Sequence, residues 1–496
     1  MIMTTFMLIL FFAACGGSDS GGGPAGDLAT PVGQGGAQDF GAFRDILDAG
    51  GIPGPETLDD VGFFAEHVIG TPPADCGEDV CVHARLGTMG NMISGADCTI
   101  VLLGFSSPLD PATLERPPLD LAIAVDVSGS MEGDGIASVR SGLRQMLPYL
   151  APEDRLSLVA FDDRAQVVAE ALAPTDPALL AAIDALEASG GTDLYDGLRV
   201  ALDDVLLRAS PDRQRRVMLI SDGAPTSGIM SHAHILDLAA AYSAEGLGLT
   251  TIALGDADVA LLRDLAIQGG GSAYFLDDAA AIEEVFVEEA QAFLWPLAED
   301  ATVGIDLLPG WDGRAMYGTS AWTGGGDRFD LEIPVLQLAH RTSADDDALG
   351  RRGGGGAIVV EVLPGDSAQL GEIGEVRFDW RVPGTEERRS QRVAVEQPVR
   401  PGDDWFTDPA SEKAFVTLNI YVGFEMAAQA AADQRPNTAL QVLDGLRLGV
   451  GDWLVTNPDA DIADDLVYIE RFVENLLAAG AEESDAVQVP EPWPAD

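Results

Sequence analysis

Uncharged apolar runs at 121–125, 217–220 and 249–254 predict strands covered on both faces, the pattern of a parallel sheet between helices. Runs at 155–161 and 272–276 supply two more strands. Between and after them, stretches 136–150, 193–208, 232–244 and 280–294 repeat apolar residues every three or four positions, as Ile282, Val285, Phe286 and Phe293 do, which predicts helices. Strands alternating with helices make 118–295 an α/β unit with a doubly wound, mostly parallel sheet.

The period changes outside that unit. Val303, Ile305 and Leu307 alternate with polar or small residues, and Val376, Phe378, Trp380 and Val382 alternate with Arg377, Asp379 and Arg381, as in half-buried antiparallel strands. Further strands are expected at 329–338, 358–363 and 99–105. Strands on both sides of the α/β unit then form one β-sandwich, with the α/β domain inserted in it. The Asp- and Gly-rich stretch 342–356 reads as a loop. Helical spacing returns over 411–479, and Pro436 and Pro458 divide it into about three helices. The Ala-rich part, 426–432, implies close helix packing. The layout is a Cys-containing segment with the first sandwich strand at 42–117, the α/β domain at 118–295, the sandwich at 296–400, a helical region at 405–480 and a tail at 481–496.

Before residue 42 the pattern is different again. The apolar stretch 6–14 is too short to span a bilayer and ends in Phe12-Ala13-Ala14-Cys15 before a Gly/Ser-rich run. It resembles a bacterial lipoprotein signal, which implies a signal peptide at 1–15, lipidation at Cys15 and a flexible linker at 16–41. It departs from that pattern in having Phe12 where leucine is usual and no Lys or Arg before the apolar run. Cys76, Cys81 and Cys98 remain. One disulfide is expected, Cys76 with Cys81 or Cys81 with Cys98, leaving one thiol; a zinc site with His83 fits no usual ligand pattern.

Charge narrows the partners. With 28 Lys and Arg against 81 Asp and Glu, the 496-residue chain carries a formal charge of -53. Nucleic acid and anionic lipid surfaces would repel it, so a membrane is expected to hold it only through the lipid anchor. Lys413 is the only lysine, so no Gly-rich loop is followed by the lysine of a P-loop. Neither a G-x-S-x-G elbow nor an H-E-x-x-H helix occurs. His232 and His234 read as surface residues, Asp256 and Asp258 as loop and capping residues, and Arg215 and Arg216 as solvated.

The chemistry lies at strand ends. Asp126, Ser128 and Ser130 form D-x-S-x-S after the first apolar run, Thr192 follows Gly190-Gly191, and Asp222 follows Ile220-Ser221. Small hard cations take oxygen ligands in near-octahedral geometry and keep waters or borrow a ligand. Short Ser/Asp clusters also cap helices, and Thr192 could be an N-cap; the three pieces in order, each after a suitable element, favour the metal. This set resembles the metal-ion-dependent adhesion site of von Willebrand factor type A domains, and none of the five positions departs from that pattern. The resemblance, over about 118–295, implies Mg2+ (or Mn2+ or Ca2+) bound by Asp126, Ser128, Ser130, Thr192 and Asp222, accepting an Asp or Glu carboxylate from a protein partner. Loops 133–135 and 225–230 would form the rim. The expectation is a non-enzymatic adhesion protein of the bacterial cell envelope; Gly16 after Cys15 leans toward the outer membrane. The alternatives are a metal-dependent hydrolase, or an assembly scaffold with a structural metal.

Overall fold

A computed structural model describes residues 30–33, 36–37, 40–109, 117–208, 210, 213–243, 245–254, 259–276, 296–319, 322–338, 357–365 and 367–482. Cys15, the helix expected at 280–294, the loop 342–356, Asp256, Asp258 and residues 483–496 lie outside them.

The chain begins with two short strands, β1 (Thr30–Gly33) and β2 (Gly36–Ala37), followed by helices α1 (Gly41–Asp48) and α2 (Asp60–Glu66) and a hairpin of β3 (Cys81–Gly90) and β4 (Asp97–Ser107). The expected linker 16–41 therefore needs correcting at Thr30–Gly33 and Gly36–Ala37, which are strands. β1 pairs antiparallel with β4, and β2 pairs parallel with a strand of the α/β domain. Strands this short derive their structure from backbone pairing with distant partners, so a Gly-rich sequence does not exclude them.

The α/β domain runs through β5 (Leu119–Asp126), α3 (Asp134–Met146), β6 (Arg155–Phe161), β7 (Ala165–Leu172), α4 (Pro177–Asp184), α5 (Leu194–Leu207), β8 (Gln214–Ser221), α6 (His232–Ser243), β9 (Gly248–Leu254), α7 (Val259–Gln268) and β10 (Gly270–Leu276). The sheet order is β2-β10-β9-β8-β5-β6-β7, parallel except for β7, which runs antiparallel to β6. Every residue of β5 is buried, because helices cover both faces. From β5 the chain goes first to β6 on one side and later to β8 on the other. The gap between the carboxyl ends of β5 and β8 is therefore the topological switch point, where ligands of such sheets bind. Arg216 departs from the solvated reading: it is only 5% exposed in β8. Its side chain lies over Gly248, where an added Cβ would come within 2.4 Å of the guanidinium, so glycine leaves room for the arginine stem.

The chain then returns through β11 (Pro296–Leu307), β12 (Trp311–Tyr317), β13 (Trp322–Gly325), β14 (Arg328–Leu338), β15 (Ile358–Pro364), β16 (Gly371–Arg381), β17 (Arg388–Gln397) and β18 (Trp405–Phe406). One antiparallel sheet has the order β12-β15-β4-β3-β18, the other β13-β14-β11-β16-β17, and β1 bonds to β4 in the first and β14 in the second. Phe105, Val303, Ile305, Phe329, Phe378 and Trp380 fill the space between the sheets, with Phe378 stacked on Trp380 at 4.5 Å. The α/β domain thus sits between strands of one sandwich.

Helices α8 (Pro409–Ala432), α9 (Pro436–Thr456) and α10 (Ala460–Ala478) close the chain. They cover the outer face of the first sheet, where Ile100, Leu102 and Val359 join their core. That explains why β4 is buried along almost its whole length while strands of the second sheet alternate. α8 is apolar nearly all round because it is enclosed, its Phe424 meeting Phe43 of α1 at 4.9 Å and Phe63 of α2 at 6.3 Å. No described helix is long and apolar enough to cross a membrane. Lys413 joins the start of α8 to that of α10 through Asp459 at 2.8 Å and Asp461 at 2.7 Å.

Cys76 and Cys81 form the disulfide, and Cys98 is a buried thiol. Cys81 faces Ser106 and Cys98 faces Met89 in the β3–β4 register, so these two cysteines lie at opposite ends of the hairpin and the alternative pairing is out of reach.

Candidate metal centre

Three loops at the switch point carry the five residues that the sequence singles out. Asp126 ends β5, fully buried. Its Oδ1 accepts from the Ser128 backbone N–H at 2.8 Å and its Oδ2 from the Ser221 hydroxyl at 2.6 Å. Ser128 and Ser130 hold their hydroxyl oxygens 3.0 Å apart, and the Ser130 hydroxyl donates to Asp222 Oδ1 at 2.8 Å. Asp126, Ser128, Ser130 and Asp222 are thus tied into one polar cluster, buried on the sheet side and exposed at Ser130.

Thr192 stands on a separate loop that is held beside the cluster. The Gly129 N–H donates to the Gly190 carbonyl at 3.1 Å, and the Ser189 N–H to the Val127 carbonyl at 2.6 Å, pinning this loop beside D-x-S-x-S. Thr192 itself is 3% exposed. It is not the N-cap of α5: that is Asp193, whose side chain accepts from the Asp196 N–H at 3.0 Å. With the orphan helix donor met one residue later, the threonine side chain is released from the capping role. α5 can bring the loop this close because Gly197 packs on Phe161, where an added Cβ would come within 2.5 Å of the ring.

Two partners escaped the sequence reading. Ser221 looked like a strand end, yet it orients Asp126. Thr226 sits in the turn Ala224-Pro225-Thr226-Ser227; its hydroxyl accepts from the Thr192 N–H at 2.9 Å, while the Thr226 and Ser227 N–H groups donate to the Thr192 carbonyl at 3.0 and 3.2 Å. A hydroxyl two to four residues past a candidate ligand is a usable signal only when the turn's fold is known. Ser227 Oγ is buried beside Gly191 without a hydrogen-bond partner among the described residues.

Burial pushes the Asp126 carboxyl above its ordinary range, opposed by the hydrogen bonds from Ser221 and Ser128, and burial likewise raises Asp222 against the Ser130 hydrogen bond. Two desolvated carboxylates among hydroxyls would be held ionised by a cation. The donor set fits a hard divalent ion: carboxylate and hydroxyl oxygens only, with lone pairs to spare and one side open. Among the described residues no three His, Cys, Asp or Glu side chains cluster to hold a metal, so any ion in this place depends on the serines and the threonine.

Comparison with known proteins bears on the α/β domain and its fold. Residues 120–288 match the model of the von Willebrand factor type A domain. Uncharacterized protein sll0103 of Synechocystis sp. is 31% identical over 173 residues, 34% of this chain and 40% of that protein. Human inter-alpha-trypsin inhibitor heavy chain H4 is 28% identical over 221 residues, 41% of this chain and 23% of that one. The chain therefore spans well under half the length of these curated relatives. The solved structure of a von Willebrand factor type A protein from Catenulispora acidiphila superposes with a TM-score of 0.50 at 17% identity, covering 80% of this chain and 89% of that one, a likeness of fold. The chain carries a von Willebrand factor type A domain, set within a β-sandwich and backed by C-terminal helices.

Proposed function

We propose that this is a lipid-anchored cell-envelope protein that binds a protein partner through a divalent cation, Mg2+ or a substitute such as Mn2+ or Ca2+, held by Asp126, Ser128, Ser130, Thr192 and Asp222. The observation that carries the reading is the hydrogen-bonded cluster of Asp126, Ser128, Ser130 and Asp222 at the switch point, with the Thr192 loop pinned against it.

Bound there, the cation would supply positive charge with coordination positions open to a partner's Asp or Glu carboxylate. The chain's residues do the positioning. Ser221 and the Ser128 amide fix the Asp126 carboxylate, Thr226 fixes the Thr192 backbone, and Asp193 takes the helix cap. With one or both aspartates acting through waters, the cation would keep much of its charge, which favours an anionic ligand from the partner. The human relative is by name a heavy chain of a trypsin inhibitor, which supports a protein-binding role for the shared domain. Cys15 would tether the chain to a membrane, the outer one where the cell has two, and the charge of -53 disfavours nucleic acid as partner.

The test is Mg2+ titration calorimetry and partner capture from envelope extracts, with wild type in Mg2+, wild type in EDTA, and Asp126→Ala. Both Mg2+ uptake and capture should disappear in Asp126→Ala while the circular dichroism spectrum persists. Capture that is equal in all three conditions would remove the cation from the binding function.

A further inference from the structure

We propose that the Cys76–Cys81 bond is an exchangeable disulfide, and that Cys76 is the point at which a positively charged thiol joins the protein as a mixed disulfide. The site lies at the start of β3, away from the α/β domain, and stands independently of the cation reading above.

As a staple this bond does little. Its cysteines are separated by 5 positions, and closing so short a loop constrains the unfolded chain least. The same segment is already held without it: Gln391 of β17 accepts from the Val82 N–H at 3.0 Å and donates to the Val80 carbonyl at 2.6 Å, and Glu78 pairs with Arg389. The two sulfurs differ in access. Cys76 is exposed and Cys81 is fully buried, so an incoming thiolate meets Cys76 and makes Cys81 the leaving group. Donors surround the sulfurs over which negative charge then spreads. The Cys76 N–H donates to Cys81 Sγ at 3.2 Å, and Gln391 Nε2 donates to Cys76 Sγ at 3.4 Å. Ser106 lies opposite Cys81 in the β3–β4 register, on the same face of the hairpin. With its Nε2 protonated, His83 donates to Ser106 Oγ at 2.6 Å, which leaves the serine hydrogen for a thiolate at Cys81.

In the step, the incoming thiolate bonds to Cys76 Sγ and the Sγ–Sγ bond breaks. Its electron pair passes to Cys81 Sγ, which takes up the proton that the incoming thiol gave away. One disulfide replaces another, so no outside oxidant is consumed, and attack by Cys81 on Cys76 reverses the step. Cys98 stays out of the exchange, 1% exposed at the other end of the hairpin. Charge sets the preference among thiols. Asp75 and Asp79 are exposed beside and just after Cys76, on a chain of charge -53. An anionic thiol nearing them is repelled over roughly a Debye length, about 8 Å in physiological salt, whereas a thiol on a cationic carrier is drawn in.

The experiment exposes the purified full chain to cysteamine or to the anionic 2-mercaptoethanesulfonate, quenches with acid, alkylates free thiols in denaturant and maps the products by mass spectrometry. Rates are compared per thiolate, with a synthetic peptide of residues 71–84 carrying the same disulfide as reference. The adduct should sit on Cys76 and the new alkylation on Cys81, and the folded chain should react several-fold faster than the peptide. Cysteamine should outpace the anionic thiol, by a margin that shrinks as salt rises. Gln391→Leu should slow the folded chain toward the peptide rate. Because Gln391 also holds the Val80 and Val82 backbone, Ser106→Ala serves as a second variant and should slow the exchange as well. A folded chain no faster than the peptide, an adduct on Cys81, or faster exchange in Gln391→Leu would make the bond a protected staple and overturn the proposal. Equal rates for the two thiols at low salt would overturn the charge preference.

Discussion

Asp126 and Glu361 are both carboxylates inside strands, 0% and 2% exposed, yet they sit in opposite surroundings. Asp126 ends β5 in a ring of donors, each oxygen receiving a hydrogen bond, with Ser130 and Asp222 leading out to solvent. Glu361 lies mid-strand in β15 opposite Ile100, on the face toward α8. Its Oε2 has no hydrogen-bond partner among the described residues, and the Arg314 guanidinium is 4.0 Å away. Burial pushes Glu361 up to about 7, with only Arg314 opposing it. The difference teaches that a buried acid does not by itself make a site. What distinguishes Asp126 is convergence: oxygens from three loops and an open side. Glu361 is a cost carried in the core.

The sharpest break of that comparison is to remove an acid from each place and melt the protein with and without Mg2+. Wild type at a hundredfold excess over Kd should gain about 2.7 kcal/mol. Asp222→Asn should gain nothing, whereas Glu361→Gln should keep the full Mg2+ response; loss of the response in both would merge the two acids into one system.

The second effect is on pH. The folded chain keeps the Glu361 proton up to about pH 7, while the unfolded chain releases it in the ordinary carboxylate range. Between these values the folded state binds more protons, so this group's contribution is full at low pH and is lost as pH rises through about 7. Glu361→Gln should therefore raise stability at pH 8 by roughly 1–3 kcal/mol and leave it little changed at pH 4, measured by urea unfolding. A mutant less stable at pH 8 would show that the carboxylate has a partner worth keeping.

The smallest effect falls on the support of the site. Thr226→Val removes the hydroxyl that holds the Thr192 N–H and should weaken Mg2+ binding by about five- to tenfold, on the order of 1 kcal/mol; an unchanged titration would show that the loop is fixed by its backbone bonds alone.

The sequence disclosed most of the α/β sheet, because strands covered on both faces read as unbroken apolar runs, as in β5. It also singled out five candidate residues, of which Asp126, Ser128, Ser130 and Asp222 meet in one hydrogen-bonded cluster. What it hid depends on distance. β1 and β2 are too short to show a period, and their partners β14 and β10 lie hundreds of residues away. β3 mixes Val82 and Leu86 with His83 and Arg85 because it lies between two kinds of neighbour. Ser221 and Thr226 act on ligands from other loops, and no local pattern records that. The strand expected at 358–363 carries Glu361 in its middle, and no local pattern records that this side chain is buried.

Inserting the α/β domain also sets an order of events during synthesis. β4 needs a neighbour on the β15 side and a cover from α8, yet Ile358 emerges about 250 residues after Ser107. At roughly 5–20 residues per second that is a delay of about 10–50 s, during which a strand as apolar as Thr99–Phe105 has only its β3 hairpin. The contiguous α/β domain can fold in that interval, drawing the ends of the insertion together and shortening the loop that the sandwich must close. A nascent chain stalled before β15 is therefore the species most exposed to aggregation, and the one that a chaperone would have most reason to hold.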